Sequence, residues 1–339
     1  MSSPELAARR EIAPLEQAAA VAERIRARIQ AQVRGRDEVI DLVLVALLAD
    51  GHVLLEDFPG SGKTTLAKAL GHSIVDRRPE NRLADFRRVQ FTPDLLPSDL
   101  TGTQVFDAKS GQFRFRPGPL FAHVVLADEI NRTSPKVQSA MLEAMAEKQV
   151  SVDEATHPLD ALFTVIATQN PLDLAGTYPL PVAQLDRFLF KIRMTHIDRA
   201  SELEVLRSIQ ERRDVARADL PQATRDEILA ARAAIELGVR IDPRIHECLV
   251  DIAEGIRSDR RVQLGTSTRS LVLALPALQA HALLRGRDFV SSEDLEQVLP
   301  RVLEHRVDPA PGLAEPREIV AAALADPLER LSRSTLRRP

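Results

Sequence analysis

Cysteine is all but missing from this chain: Cys248 is the only one among 339 residues. That rules out an intramolecular disulfide and any multi-cysteine metal site, and it fits a reducing compartment. There is no tryptophan and a single tyrosine, Tyr178, so few rings are available to stack on nucleobases. Long apolar runs are lacking too. The longest, Val39 to Ala49, is interrupted by Asp41 and falls well short of the roughly 20 residues that span a bilayer. The first residues, Met1-Ser2-Ser3-Pro4-Glu5-Leu6, contain no apolar core of a secretory signal, so a cytoplasmic chain without membrane insertion is expected. Neither sign of charge dominates: 45 Lys and Arg against 49 Asp and Glu leave −4. Bulk charge therefore offers a polyanion no attraction, and nucleic acid is an unlikely partner.

What the chain does have is 44% hydrophobic residues, enough for two domains with a proper core, and one informative stretch. After the apolar run Val53-Leu54-Leu55 comes Asp57-Phe58-Pro59-Gly60-Ser61-Gly62-Lys63-Thr64-Thr65, followed by Leu66-Ala67-Lys68-Ala69-Leu70. Strand, glycine-rich turn and helix in this order form the context of a phosphate-binding loop. Gly60 and Gly62 permit the tight backbone that aims successive N–H groups at one anion, and the helix adds its positive end. Pro59, Gly60, Ser61, Gly62, Lys63, Thr64 and Thr65 are thus the predicted cradle for the phosphates of a nucleoside triphosphate. Lys63 is placed on the β and γ phosphates and Thr64 on Mg²⁺. The position of the first loop glycine is taken by Asp57, a residue that tolerates turn geometry.

Further along, Val124-Val125-Leu126-Ala127 runs directly into Asp128-Glu129. An unbroken apolar run ending in two acids is the pattern of a strand buried on both faces whose carboxyl end opens on a site. Asp128 is the candidate magnesium ligand and Glu129 the candidate general base. A second buried run, Leu162 to Ala167, ends in Thr168-Gln169-Asn170-Pro171; the Asn170 amide could bond both the γ-phosphate and the attacking water. Strands alternating with helices up to residue 196 predict a parallel α/β sheet. Two hairpins interrupt it, one around Lys109-Ser110-Gly111 and one from Gln149 to His157. On the first, Phe113-Arg114-Phe115-Arg116 alternates aromatic and basic residues; we expect both phenylalanines packed and both arginines solvated.

Beyond about residue 197 only helices are expected, near 199–212, 223–237, 243–258, 267–285 and 291–305. Pro276 should kink or shorten the fourth, and Pro327 should stop or kink a last helix begun at Pro316. Arg269 sits in the first turn of the fourth helix, where a cation is unfavourable unless an outside anion meets it.

These elements together resemble the AAA+ ATPases, and within them the MoxR family. The resemblance is carried by Gly51-His52-Val53-Leu54-Leu55-Glu56, Gln90-Phe91-Thr92-Pro93-Asp94-Leu95-Leu96-Pro97-Ser98-Asp99, Arg116-Pro117-Gly118-Pro119-Leu120-Phe121, Leu126-Ala127-Asp128-Glu129-Ile130-Asn131-Arg132, Ala167-Thr168-Gln169-Asn170-Pro171, Gly176 to Pro181, Ala183 to Phe188, and Arg285-Gly286-Arg287-Asp288. It covers about residues 30 to 307. It implies an AAA+ core at 1–196 with a five-stranded parallel sheet, a helix-2 insert hairpin at about 101–117 and a pre-sensor 1 hairpin at about 148–160. An all-α lid at 197–307 and a tail at 308–339 follow. By the same resemblance Lys63, Thr64, Asp128 and Glu129 take the Walker roles and Asn170 that of sensor 1. Arg187 looks like the arginine finger that acts on a neighbour's nucleotide, and Arg269 like sensor 2, although the family's proline before it is Thr268 here. The implied assembly is a homo-oligomeric ring, usually a hexamer. The implied activity is Mg²⁺-dependent ATP hydrolysis that remodels a protein partner, often one with a von Willebrand factor A domain. The ATPase subunit of a metal chelatase and a nucleotide-gated scaffold with little turnover are the alternatives.

Overall fold

The computed structural model describes residues 3–56, 61–80, 83–153, 155–170, 176–208 and 220–335, with side chains from 13 to 333. The chain enters through α1 (Ser3–Gln30) and α2 (Asp37–Leu48). It then alternates β1 (Val53–Glu56), α3 (Lys63–Gly71), β2 (Ala84–Gln90), α4 (Pro97–Thr101), β3 (Ala122–Asp128), α5 (Pro135–Glu147), β4 (Thr164–Gln169), the single turn α6 (Val182–Leu185) and β5 (Phe190–Arg193). The five strands form one parallel sheet in the order β5-β1-β4-β3-β2. Its inner strands are buried on both faces, which is why they read as unbroken apolar runs. Alternate residues feed two cores. Leu54, Val125, Val165 and Ala167 pack with Val137 and Met141 of α5. Val53, Leu55, Val124, Leu126 and Ile166 pack with α2, α3 and the helical half.

Both predicted hairpins are present, Gly102–Asp107 with Gln112–Pro117 and Gln149–Val152 with Ala155–Pro158. Phe115 stacks on His157 with ring centroids 3.7 Å apart, which ties one hairpin to the other. Phe113 departs from expectation. It is 69% exposed and meets its cross-strand neighbour Phe106, itself exposed, edge to face. Phe113 and Phe115 stand two apart on one strand, but Phe115, nearer the base, reaches the rings of Phe121 and His157, while Phe113, nearer the tip, stays exposed.

The helical half comprises α7 (Arg199–Arg207), α8 (Arg225–Gly238), α9 (Pro243–Ser258), α10 (Thr268–Leu284), α11 (Ser292–Leu303) and α12 (Pro316–Thr335). Local chemistry sets the boundaries. Asp242 caps α9 by accepting from the Arg244 N–H with Pro243 at the first position, and Ile245, Leu249, Ile252 and Ile256 all fall on its buried face. Capping boxes Thr224/Glu227 and Ser291/Asp294 open α8 and α11. This half is not purely helical. Ala223–Thr224 pairs in parallel with Ile74–Val75, and Val262–Leu264 pairs with Asp308–Pro309. Strands of two or three residues are too short to carry a period. Proline also proved a weaker stop than expected, since α10 runs through Pro276 and α12 through Pro327. In α12 the burial of Ile319, Val320, Leu324 and Leu331 offsets the one backbone hydrogen bond that Pro327 removes.

Candidate active site

In a parallel sheet every carboxyl end opens on the same side, and here β1, β4 and β3 are consecutive neighbours. With about 4.8 Å between strands, the turn after β1, Asn170 after β4 and Asp128 ending β3 share an arc of roughly 10 Å. The structure thus brings together Ser61, Gly62, Lys63, Thr64, Thr65, Asp128, Glu129 and Asn170. The predicted residues Asp57, Pro59 and Gly60 lie outside the described residues, as does Asp173, considered as a partner for Arg187.

Gly62 precedes α3 with φ at +94°, although a Cβ there would meet nothing within 4 Å. Backbone conformation rather than crowding is what demands glycine. No side chain caps α3 among the described residues, and its first turn holds no acid, which leaves the leading N–H groups turned to the space before the helix. Beside them the Ser61 hydroxyl is buried with no hydrogen-bond partner among the described residues. An orphaned hydroxyl, an uncapped helix start and Lys63 make a donor set that fits a phosphate chain. The Thr64 hydroxyl, in the first turn of α3, and the Asp128 carboxylate are oxygen donors of the kind a magnesium ion takes.

The acids are held by partners to which the sequence assigned no role, although Gln90, Arg132 and Thr168 stand inside the motif segments. Thr168, wholly buried at the end of β4, donates to Asp128 Oδ1 at 2.7 Å and accepts from the Glu129 N–H at 2.9 Å. Glu129 takes a left-handed backbone, φ 58°, which turns its carboxylate off the line of the strand. From the neighbouring β2, Arg88 reaches Asp128 Oδ2 at 2.6 Å and Gln90 donates to Glu129 Oε2 at 2.7 Å. Arg132 stands 3.3 Å from the same Glu129 oxygen. Arg88 and Gln90 share one face of β2, in register with Leu126 and Asp128. Their spacing of two was visible in Phe86 to Phe91, but the strand order that brings them to the acids was not. At the stem of the phosphate turn, buried Glu56 accepts from Gln169 at 2.8 Å and pairs with Lys191 and Arg193, each at 3.0 Å. Burial alone would raise its pKa; Lys191, Arg193 and Gln169 outweigh it and hold the carboxyl below its usual range.

Arg187 and Arg269 lie elsewhere. Arg187 stands three residues before β5, whose first residue Phe190 is level with Val53, whereas the phosphate turn follows Glu56, level with Arg193. At about 3.3 Å per residue the finger candidate is at the opposite end of the sheet from Lys63, more than ~10 Å away. Its guanidinium donates to the Leu142 carbonyl at 3.2 Å. Arg269, exposed at the start of α10, is 3.9 Å from Asp186, and the adjacent Ser270 hydroxyl bonds the same carboxylate at 3.3 Å. The two arginines therefore share one region.

Comparison with known proteins agrees with the fold. Residues 52–190 match the model for the ATPase family associated with various cellular activities, and residues 254–324 match that for the AAA lid domain. The chain is 48% identical to the uncharacterized protein YeaC of Bacillus subtilis over 80% of its own length and 82% of that protein. It is 37% identical to the chaperone MoxR1 of Mycobacterium tuberculosis over 80% of its own length and 72% of the relative. A crystal structure from Cytophaga hutchinsonii, provisionally described as an ATPase, superposes with a TM-score of 0.81 at 32% identity, covering 94% of this chain and 97% of the other. A phosphate turn facing an acid-tipped inner strand, in a chain with these relatives along most of its length, makes the protein a member of the MoxR family of AAA+ ATPases.

Proposed function

We propose that this ATPase works as a ring, hexameric by its resemblance, in which one subunit holds MgATP and the next completes the site, and that its cycle remodels a protein partner. The observation that supports the ring is the separation of Arg187 and Arg269 from Lys63 across the sheet. Guanidiniums that cannot reach their own nucleotide, yet belong to an ATPase, serve one held next door. MgATP supplies the phosphoryl group and the cation that spreads its charge. Lys63 and the N–H groups of the turn bind the phosphates, Thr64 and Asp128 hold the metal, and Asn170 orients water. Glu129 takes the proton of that water once Gln90 yields its oxygen. Arg187 from the neighbour meets the charge on the departing phosphoryl group, so turnover depends on assembly. A chaperone name among the relatives supports a protein client, and a partner with a von Willebrand factor A domain is the candidate co-factor of that work.

Mixing subunits tests the reading. Lys63→Ala lacks its own site but keeps its arginines; Arg187→Ala keeps its site but lacks the finger. Each alone should be nearly inactive, and a mixture should recover turnover, whereas a finger acting within its own chain predicts no recovery. One observation favours the scaffold instead: Arg88, Gln90 and Arg132 already occupy both acids. A turnover number indistinguishable from background at saturating MgATP, in the assembled protein, would decide for it.

A further inference from the structure

Asp186 and Arg187 are held by a residue that arrives 120 positions later. Arg306, in the single 3-10 turn Glu304–Arg306 that follows α11, is 3% exposed, and all five of its N–H groups are used. Nε donates to Asp186 Oδ1 at 2.7 Å, and Nη2 to the carbonyls of Asp186 and Phe188 at 3.0 and 2.8 Å. Nη1 reaches the Leu189 carbonyl at 3.3 Å and also the Val302 carbonyl. The neighbouring His305 ring bonds the Phe188 carbonyl at 3.0 Å. One guanidinium thus grips the peptide on both sides of Arg187. The carboxylate it neutralises is the one that Ser270 and Arg269 approach from α10.

We infer that Arg306 is the positioning residue of the arginine finger: through Asp186 it fixes Arg187 and Arg269 as one unit and makes their aim follow the last turn of the lid. A buried arginine that only glued two layers would need partners of any kind. Here three of its hydrogen bonds fall on carbonyls within Asp186–Leu189 and another on the Asp186 side chain, a fork that the three rotating donors of lysine cannot reproduce. The inference rests on the trans action proposed above, and its test separates the two.

The full chain is assayed as wild type, Arg187→Ala, Arg306→Lys, Arg306→Met and Asp186→Asn, with kcat, the dissociation constant of a fluorescent ATP analogue and oligomer mass read for each. The expected result is a kcat loss of about 10- to 100-fold in the Arg306 and Asp186 variants, the scale of a catalytic group displaced by about an ångström. Nucleotide affinity should stay within about twofold, and adding Arg187→Ala to Arg306→Met should lower kcat no further than Arg187→Ala alone. Each variant mixed with Lys63→Ala should regain turnover, because the neighbour then supplies a correctly held finger. If the Arg187→Ala mixture recovers and the Arg306→Met mixture does not, Arg306 is structural and the inference falls. If neither recovers, trans action falls and takes it along. Should Arg306→Met not fold, Asp186→Asn, which leaves the carbonyl contacts in place, decides by the same readings; normal kcat in that variant overturns the inference.

Discussion

Acids stand at one end of the central sheet and arginines at the other, and the two sets are held differently. Asp128 closes a strand whose seven residues are all buried, and its position follows from backbone pairing with β4 and β2; side chains only trim its direction. Arg187 follows a single helical turn in a connection with no strand partner, and its position depends on the grip of Arg306. The acid end is therefore fixed by the sheet, while the arginine end moves with whatever moves the lid. That asymmetry suits the ring proposed above: a rigid site that binds, and an adjustable one that completes it.

The widest separation between the ends should come from mutating the acid end. Glu129→Gln keeps the phosphate cradle and removes the base, so turnover should fall by about 10²- to 10⁴-fold while nucleotide affinity holds. Lys63→Ala should lose both. Equilibrium titration with a fluorescent ATP analogue beside a steady-state assay measures the difference; retained turnover in Glu129→Gln would remove the acid end from the chemistry altogether.

The amino end of the sheet should instead be the part sensitive to pH. His52, directly before β1, is fully buried, accepts from the Val165 N–H at 3.1 Å and lies 3.2 Å from the Met145 carbonyl. Burial above all lowers its pKa to about 4, so the folded chain refuses a proton that the unfolded chain takes near 6.5. The unfolded state then binds more protons between those values, and His52 alone should cost roughly 3 kcal/mol of stability as pH drops from about 6.5 to 4, with buried His305, whose pKa burial also pushes well down, adding to the slope. Urea melts at intervals across that window should show the slope. His52→Leu should start less stable at neutral pH, because the Val165 N–H loses its acceptor, yet its curve should be flatter. An equal slope in both proteins would assign the loss to other groups.

Legibility in the sequence follows the same division. The phosphate turn, Asp128, Glu129 and Asn170 could be read because a strand buried on both faces leaves an unbroken apolar run, and the polar residue that ends it stands out. Arg187 could be read only by resemblance, since an arginine on a connection looks like any solvated charge, whereas Arg269 stood out as a cation in the first turn of a helix and took its role from the resemblance. Thr168, Arg88 and Gln90 went unseen because strand order is a tertiary fact: nothing within Phe86 to Phe91 says that it lies beside Val124 to Asp128. Arg306 was hidden by distance along the chain. Pro327 does not stop its helix, because the local rule for proline is outweighed by packing that only the folded helix reveals.

The finest distinction between the ends concerns Arg269. Its guanidinium is exposed and 3.9 Å from Asp186, so it is held less firmly than Arg187. Arg269→Ala should lower kcat by roughly 10-fold, below the usual cost of deleting a buried charge-stabilising donor. If Arg269 serves the neighbour's nucleotide, Arg269→Ala chains mixed with Lys63→Ala chains, which bind nothing themselves but still supply an intact Arg269, should bind nucleotide at their own sites with unchanged affinity. If it folds back over its own nucleotide, affinity should drop in the subunit that carries the substitution and mixing should restore nothing. That second outcome would leave Arg187 alone at the seam and confine the grip of Arg306 to a single guanidinium.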